Sequence, residues 1–486
     1  MFNYISMKNF KAFRTASLEL RPITVLAGAN SSGKSSIIHV LLLLKQTLES
    51  HRNRPLILSG EFLNFSRYDE IVFGKRKDEP VTFSLALTGQ SLPTSLTRGR
   101  LSTFFGPAEV ETILTAGQPE RLRSMYEVTY KVTFAPFQER ERRGITIRSA
   151  CASSLLAGLE LRRAELRLEQ AAEETYTGTV SIPSPGGLTP LHDIVDVEWT
   201  NFLPARADYR TRDMKGKAGR NEVPLDLFAI PNLRVELTER LHYVGPLRSE
   251  PQRAYFVLGD RVELGYRGEY TAQVLLLERD EPVDYIIDHQ FREKAIGLLE
   301  AVNRTLKMMN LQSIEPFSRE GVVSQLMLPL IRDDKPIVTI VDVGFGVSQL
   351  LPIIVAGLRA NRGDTLIFEQ PETHLHPKVQ EALADFLVLL YHLGKCVIVE
   401  THSDHLINGL RVRIVDDQTD TLKDAVQVAF VRIPEAKGEG SLIEPLQFDE
   451  YGMIVNWPPE FMSDGMKQMQ NILHLGVEKQ RRKRHQ

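Results

Sequence analysis

GANSSGKSS, from Gly28 to Ser36, is the stretch that decides the fold. It matches G-x-x-x-x-G-K-[ST] in full, and it has the context that pattern needs. An apolar run, ITVLA, leads into it, as a buried strand would, and SSIIHVLLLLKQTLES follows it with the pattern of a helix. Glycine lets a backbone curl until its N–H groups point at phosphate oxygens. Gly28 and Gly33 supply that freedom, and Asn30, Ser31, Ser32 and Ser36 complete the loop. Lys34 can neutralise the β- and γ-phosphates, and Ser35 can put its hydroxyl on a magnesium ion. The helix N-terminus adds a favourable field. The ligands expected here are ATP and Mg²⁺. The plainer alternative is a Gly/Ser-rich turn.

A second stretch, FEQPETHLHP from Phe368, raises the question of hydrolysis. Glu369 closes the apolar strand DTLIF, where an acid can hold the magnesium shell. Its longer stem also lets it act on a magnesium-bound water, and a surface acid at a strand end is the simpler reading. Many phosphate-handling ATPases place a second acid next, to serve the attacking water. Gln370 stands there instead. An amide cannot take a proton near neutral pH, yet it can orient a water. Losing general-base help costs roughly 10²–10⁴ in rate. Glu372 is a substitute base if Pro371 brings it round; otherwise it caps the next helix or pairs with a lysine. The motif points to a switch or clamp more than to a motor.

The bulk composition narrows the classes. The chain has 486 residues and a net charge of −3, so no global basic field advertises nucleic acid, and any DNA contact must come from local patches. Its two cysteines, Cys151 and Cys396, lie far apart without metal spacing, which fits a reducing cytoplasm and no disulfide framework. The N-terminus lacks a basic-then-apolar signal pattern. No apolar run reaches the roughly 18 residues of a membrane span.

Patterning divides the chain into an α/β head in two halves, residues 1–80 and 336–448, around other material. Residues 81–240 read as an insertion lobe, mostly β, with one helical stretch near ASSLLAGLELRR and an exposed loop from Arg210. Residues 241–335 form a connecting α/β region, with helical spacing from Asp288, and residues 449–486 a small subdomain and a basic tail. No heptad pattern lasts long enough for a coiled coil.

Four segments in chain order carry a family resemblance: NFKAF from Asn9, GANSSGKSS, GFGVSQLLPII from Gly344, and IFEQPETHLHP followed by VETHSD from Val399. The arrangement resembles ABC-type ATPases of the AAA family, in the SMC-like and OLD-like branch found in bacterial anti-phage systems. HYVGPLR and GYRGEY are weaker echoes, and WPPEF near Trp457 resembles a tail domain of one subgroup. The resemblance implies an ABC/SMC-type P-loop head with a β-rich insertion lobe and a small C-terminal subdomain. It implies a homodimer or higher oligomer around two ATP molecules, each held by one subunit's phosphate loop and the other's signature motif. Gly346 and Ser348 lie where the signature belongs; a plain strand-to-helix turn with an N-cap serine is the alternative. His402 matches the switch histidine that contacts the γ-phosphate. Lys11 resembles the basic residue that reaches the nucleotide, and Gln46 the magnesium-side glutamine, with a poorer fit. His374 and His376 are two apart and can share a metal with His402 or His405, although the family places a subunit-contact loop there. No Toprim or HNH-like nuclease pattern follows His402, so destruction of nucleic acid would need a separate effector chain. Three roles follow: a slow switch sensing an invasion signal or DNA, an ATP-bound scaffold, or a RecF-like repair ATPase on DNA with RRKRH from Arg481 touching phosphates.

Overall fold

The computed structural model describes residues 1–88, 126–139, 142–156, 159–170, 175–184, 187–212, 218–222, 230–256, 263–286, 293–319, 323–329, 337–342, 345–436, 438–449 and 451–456. WPPEF, RRKRH and Gly344 lie outside them.

The chain opens with an antiparallel pair, β1 (Phe2–Phe10) and β2 (Phe13–Glu19), joined at Lys11. β3 (Ile23–Gly28) then delivers the phosphate loop to α1 (Lys34–Glu49). β4 (Val81–Thr88) returns to pair with β1. From there β5 (Tyr126–Glu139), β6 (Arg142–Leu156), β7 (Leu159–Gln170), β8 (Thr175–Ser184), β9 (Gly187–Thr200), β10 (Leu203–Arg212) and β11 (Ala218–Glu222) add on in sequence as an antiparallel meander. The described strands within residues 81–222 therefore continue the sheet that β1 and β2 begin. The helix expected near ASSLLAGLELRR is a correction: its described residues, all but 157 and 158, lie in β6 and β7. Ala150, Ala152 and Ser154 are buried while Cys151 and Ser153 are half-buried. That period of two, matched by long pairing with β5, belongs to a strand.

α2 (Ile230–Thr238) leads to β12 (Leu241–Val244). Smaller elements follow: β13 (Tyr255–Phe256), α3 (Thr271–Leu277), β14 (Pro282–Ile286), β15 (Glu293–Gly297), α4 (Leu298–Met308), β16 (Glu315–Arg319), β17 (Val323–Pro329) and β18 (Ile337–Thr339). Of the stretch with helical spacing from Asp288, residues 288–292 lie outside the described residues, Glu293–Gly297 is a strand paired with β14, and Leu298–Met308 is the helix. The last segment carries α5 (Phe345–Arg359), β19 (Thr365–Glu369), α6 (Pro377–His392), β20 (Cys396–Glu400), α7 (Asp404–Asp416), α8 (Leu422–Ala425), β21 (Val426–Arg432) and β22 (Leu442–Leu446).

The second sheet runs β12-β19-β20-β3-β21-β22, parallel except at β22. Its inner strands are apolar nearly throughout, as strands covered on both faces must be. Alternate residues feed two cores. Ile23, Val25, Leu366, Phe368, Val397 and Val399 face a core built by α3 to α7. Leu26, Ile367 and Ile398 face a second core shared with α1 and the antiparallel sheet. α1 is therefore packed between two sheets, which is why IIHVLLLLK is apolar almost all round. The arrangement is an α/β P-loop ATPase head, and it brings the C-terminal ends of β3, β20 and β19 side by side.

Candidate nucleotide-binding site

Gly28 and Gly33 have φ of +140° and +110°. A Cβ at Gly28 would lie 2.2 Å from the Val431 carbonyl oxygen, so only glycine fits between β3 and β21. Lys34 Nζ donates to the Gly28 and Ala29 carbonyls at 3.1 and 2.8 Å, holding the ammonium at the loop. Burial lowers its pKa, opposed by Glu400 and Glu372. Ser32 Oγ is buried without a partner. Ser36 is buried, its N–H bonded to Gly33, while Asn30 and Ser31 are exposed.

Three carboxylates gather beside this loop. Glu369 and Glu400 end neighbouring parallel strands in register. Glu369 Oε1 accepts from Tyr243 Oη at 3.1 Å. Burial, then the nearby Glu400, push its pKa up to about 7, against the pull of the Tyr243 bond and Lys11. Glu400 Oε1 accepts from Ser35 Oγ at 2.9 Å. Burial raises its pKa as well. Glu372 Oε1 accepts from the His402 backbone N–H at 2.8 Å. The second oxygens of Glu372 and Glu400 are buried without partners. A hydroxyl and unpartnered carboxylate oxygens are hard donors that fit Mg²⁺, which takes one or two protein ligands and completes its shell with phosphate and water. Among the described residues, no group of three or more His, Cys, Asp or Glu is assembled to hold a metal by itself.

Gln370 follows Glu369 in the left-handed region, with φ of +45°. Its N–H donates to the Glu400 carbonyl at 2.7 Å. Arg248 Nη2 donates to the Glu369 and Gln370 carbonyls at 2.8 Å each. Lys11, Ser31 and His374 share the left-handed backbone. Side-chain-bearing residues adopt it at a cost, and such strain gathers at functional sites. Lys11 Nζ lies 2.7 Å from His39 Nδ1 and over the Phe65 ring. Burial lowers Lys11 to about 8, with Glu369 opposing.

The remaining expectations divide. The exposed His402 is close enough to Lys34 for that charge, after burial, to lower its pKa. Glu372 braces the His402 backbone, and its charge lies close enough to Lys34 to raise that ammonium's pKa, as the lysine-partner alternative expects; the cap of α6 is His376 instead. Gly346 approaches the 371–376 loop: a Cβ there would lie 3.1 Å from the His374 carbonyl oxygen. Ser348 Oγ donates to the Phe345 carbonyl of its own helix at 2.7 Å, not to the phosphate loop. Gln46 is a correction. Its amide donates to the Ile57 carbonyl at 2.8 Å and accepts from Leu63 N–H at 2.9 Å, so both ends are engaged by the 57–63 loop. His376 caps α6, with Nδ1 accepting from Lys378 N–H, and the His374 ring lies against Phe345.

Sequence reasoning did not single out Glu400, Tyr243, Arg248 or His39. Glu400 carried a readable signal, since it ends an apolar strand just as Glu369 does. Arg248 and Tyr243 lay within HYVGPLR, with nothing local to assign them.

Residues 1–84 and 279–407 match the family model described as an AAA ATPase domain, and these two segments carry every residue above except Tyr243, Arg248 and Val431. No curated protein matches the chain. Among solved structures, an SMC head bound to the C-winged helix domain of ScpA is similar at 11% identity, with a TM-score of 0.41, covering 92% of this chain and 98% of that one. The SMC head domain from Thermotoga maritima has 12% identity, a TM-score of 0.36 and coverage of 92% and 99%. An SMC head from Pyrococcus furiosus, with an extended coiled coil and bound to the C-terminal domain of ScpA, has 12% identity, a TM-score of 0.40 and coverage of 97% and 99%.

Proposed function

We propose that this chain is a slow Mg-ATP hydrolase that works as a nucleotide-gated, dimerising switch controlling a separate effector. One observation carries the reading: the phosphate-loop residues Lys34 and Ser35 meet the strand-end acids Glu400, Glu372 and Glu369, with an amide where a base is usual. Lys34 leaves its two loop carbonyls to bind phosphate oxygens. Magnesium, when bound, neutralises the phosphates and organises their oxygens for in-line attack. Gln370 can hold and orient the attacking water but cannot take its proton. Glu372, with a free buried oxygen beside Lys34 and His402, is the group able to accept that proton. His402, on the switch loop that Glu372 braces, is placed to sense the γ-phosphate.

Gly346 lies against the His374 loop and Ser348 follows it in the first turn of α5, which favours a signature motif acting on a second subunit's nucleotide. A homodimer closed around ATP then lives long, because the chemical step that ends it is slow. Control of an effector such as a nuclease, in a cytoplasmic anti-phage role, extends this reading by family resemblance alone. A DNA-bound repair role or a non-hydrolysing scaffold are its competitors.

The test is Mg-ATP binding, single-turnover hydrolysis and sedimentation for wild type and Lys34→Ala. The switch reading expects slow turnover and ATP-dependent dimers, both lost in the variant. Dimers without turnover favour the scaffold, and strongly salt-dependent DNA affinity favours the repair role.

A further inference from the structure

We propose that His39 is a positioning residue of the nucleotide site: with Phe65 it forms a neutral cradle that holds the Lys11 ammonium beside the phosphate loop, its charge uncompensated and available to the triphosphate. The proposal rests on the ATP-binding reading above and deepens it by adding a residue that acts only through Lys11.

Position comes first. Lys11 forms the turn between β1 and β2, and that turn lies on the phosphate loop: a Cβ at Gly33 would lie 2.6 Å from Ala12 Cβ and 3.3 Å from the Phe13 ring. The Lys11 backbone is fixed there by its N–H, which donates to the Ile71 carbonyl at 2.8 Å. Its side chain is fixed by His39. That residue stands on α1 one turn beyond Ser35, so the two share a helix face. His39 Nδ1 lies 2.7 Å from Lys11 Nζ. An ammonium has donors only, so the imidazole accepts and keeps its own proton on Nε2. The Phe65 ring completes the cradle, with Lys11 Nζ 4.7 Å from its centroid and the His39 ring edge-on to it at 6.2 Å. Neither partner carries charge: burial keeps His39 neutral, and Phe65 offers only the negative face of its ring. Among the described residues no carboxylate pairs with Lys11 directly, and Glu369 acts on it at longer range. A cation held by neutral groups keeps its field, and an incoming phosphate meets it already oriented.

A side chain that only filled space beside Phe65 would look the same, so the test is a double-mutant cycle, which isolates action through Lys11. Calorimetric Mg-ATP binding is measured for wild type, Lys11→Met, His39→Leu, His39→Gln and the combined Lys11→Met/His39→Leu variant. Lys11→Met should weaken binding about 10–100-fold, the range for losing one bond to a charged group. His39→Leu should weaken it about 5–10-fold, because the ammonium must then be ordered at the moment of binding. His39→Gln offers a neutral amide oxygen in place of Nδ1 and should stay within about twofold of wild type. In the Lys11→Met background, His39→Leu should cost less than about twofold more. An equal cost of His39→Leu in both backgrounds, or none in either, overturns the proposal. So does a Lys11→Met variant that binds like wild type, or a His39→Gln variant as weak as His39→Leu. If His39→Leu does not fold, His39→Phe refills the ring volume without an acceptor and is read by the same cycle. Coupling absent while wild type binds Mg-ATP sinks this proposal alone; wild type that binds none sinks the ATP-binding reading with it.

Discussion

Replacing Arg248 by methionine separates stability from turnover. Arg248 is 4% exposed, and its Nη2 ties down the carbonyls of Glu369 and Gln370, while Nε and Nη1 are buried without partners. Two effects oppose one another. Losing two bonds from a charged donor costs roughly 1.5–3 kcal/mol each. Removing a guanidinium that burial has already pushed down to about 10 recovers much of its desolvation penalty. Methionine refills most of the space with an adaptable apolar chain. The net loss should be about 1–2 kcal/mol, a fall in Tm of no more than about 5 °C. Turnover has no such compensation. Gln370 is held at φ +45°, a conformation costing ~1–3 kcal/mol that persists only while its surroundings enforce it. Once released, the amide drifts, and about 1 Å of misplacement costs roughly 100-fold. Rapid-quench single turnover should therefore fall about 100-fold, while Mg-ATP affinity stays within about threefold, because the phosphate loop hangs on β3 and α1. Wild-type turnover in the methionine variant would refute the idea that Arg248 fixes the glutamine. An affinity loss beyond about tenfold would refute the separation of holding from hydrolysis.

Gln370→Glu should hydrolyse faster by about 10²–10⁴ in single turnover, and no acceleration would mean that proton acceptance is not what limits the wild type. Glu372→Gln should slow the residual turnover of the wild type by much less than that factor, with ATP affinity kept; unchanged turnover would remove Glu372 as the proton acceptor. His39 is pushed down to about 3 by burial and by the Lys11 ammonium, below its unfolded value of about 6.5. Between those values the unfolded chain binds more protons, so this contribution is complete above about pH 6.5 and is lost as pH falls toward 3. His39→Gln should flatten the acid limb of Tm against pH, and an unaltered limb would assign acid lability to other groups. Gly28→Ala should prevent folding or melt far below wild type, since its Cβ meets the Val431 carbonyl at 2.2 Å; a normal melting curve would show that β3 and β21 can part there.

What the sequence made legible was local. The phosphate loop, the apolar strand before Glu369 and the buried helix after Lys34 each follow from composition and period within a dozen residues. Pairing over long separations was not legible. The boundary drawn at residue 80 falls between β1 and its sheet neighbour β4, and nothing local to Val81 says which strand it will join. ASSLLAGLELRR has helix-forming residues, but the partner strand imposes period two on them. Gln46 had the right residue type for magnesium, yet the 57–63 loop takes both ends of its amide. Glu400 was visible as a strand-end acid, but its meaning depends on β20 lying next to β3, which is a fact of sheet order.

The same sheet order gathers much buried acid at one loop. Glu369, Glu372 and Glu400 lie beside one loop, and the two that end neighbouring strands repel each other enough to help lift Glu369 to about 7. Lys34 and Lys11 answer that charge only in part, each itself disfavoured by burial. Triphosphate alone brings more negative charge into the same place and meets repulsion. Metal alone finds few protein ligands here and must take most of its shell from water. The two together satisfy both deficits, drawing Lys34 off its carbonyls and adding phosphate oxygens to the metal's shell. A site of this kind responds to Mg-ATP as a unit. On the reading proposed above, the amide at 370 then makes release of that state slow, which is the property a nucleotide-gated clamp requires.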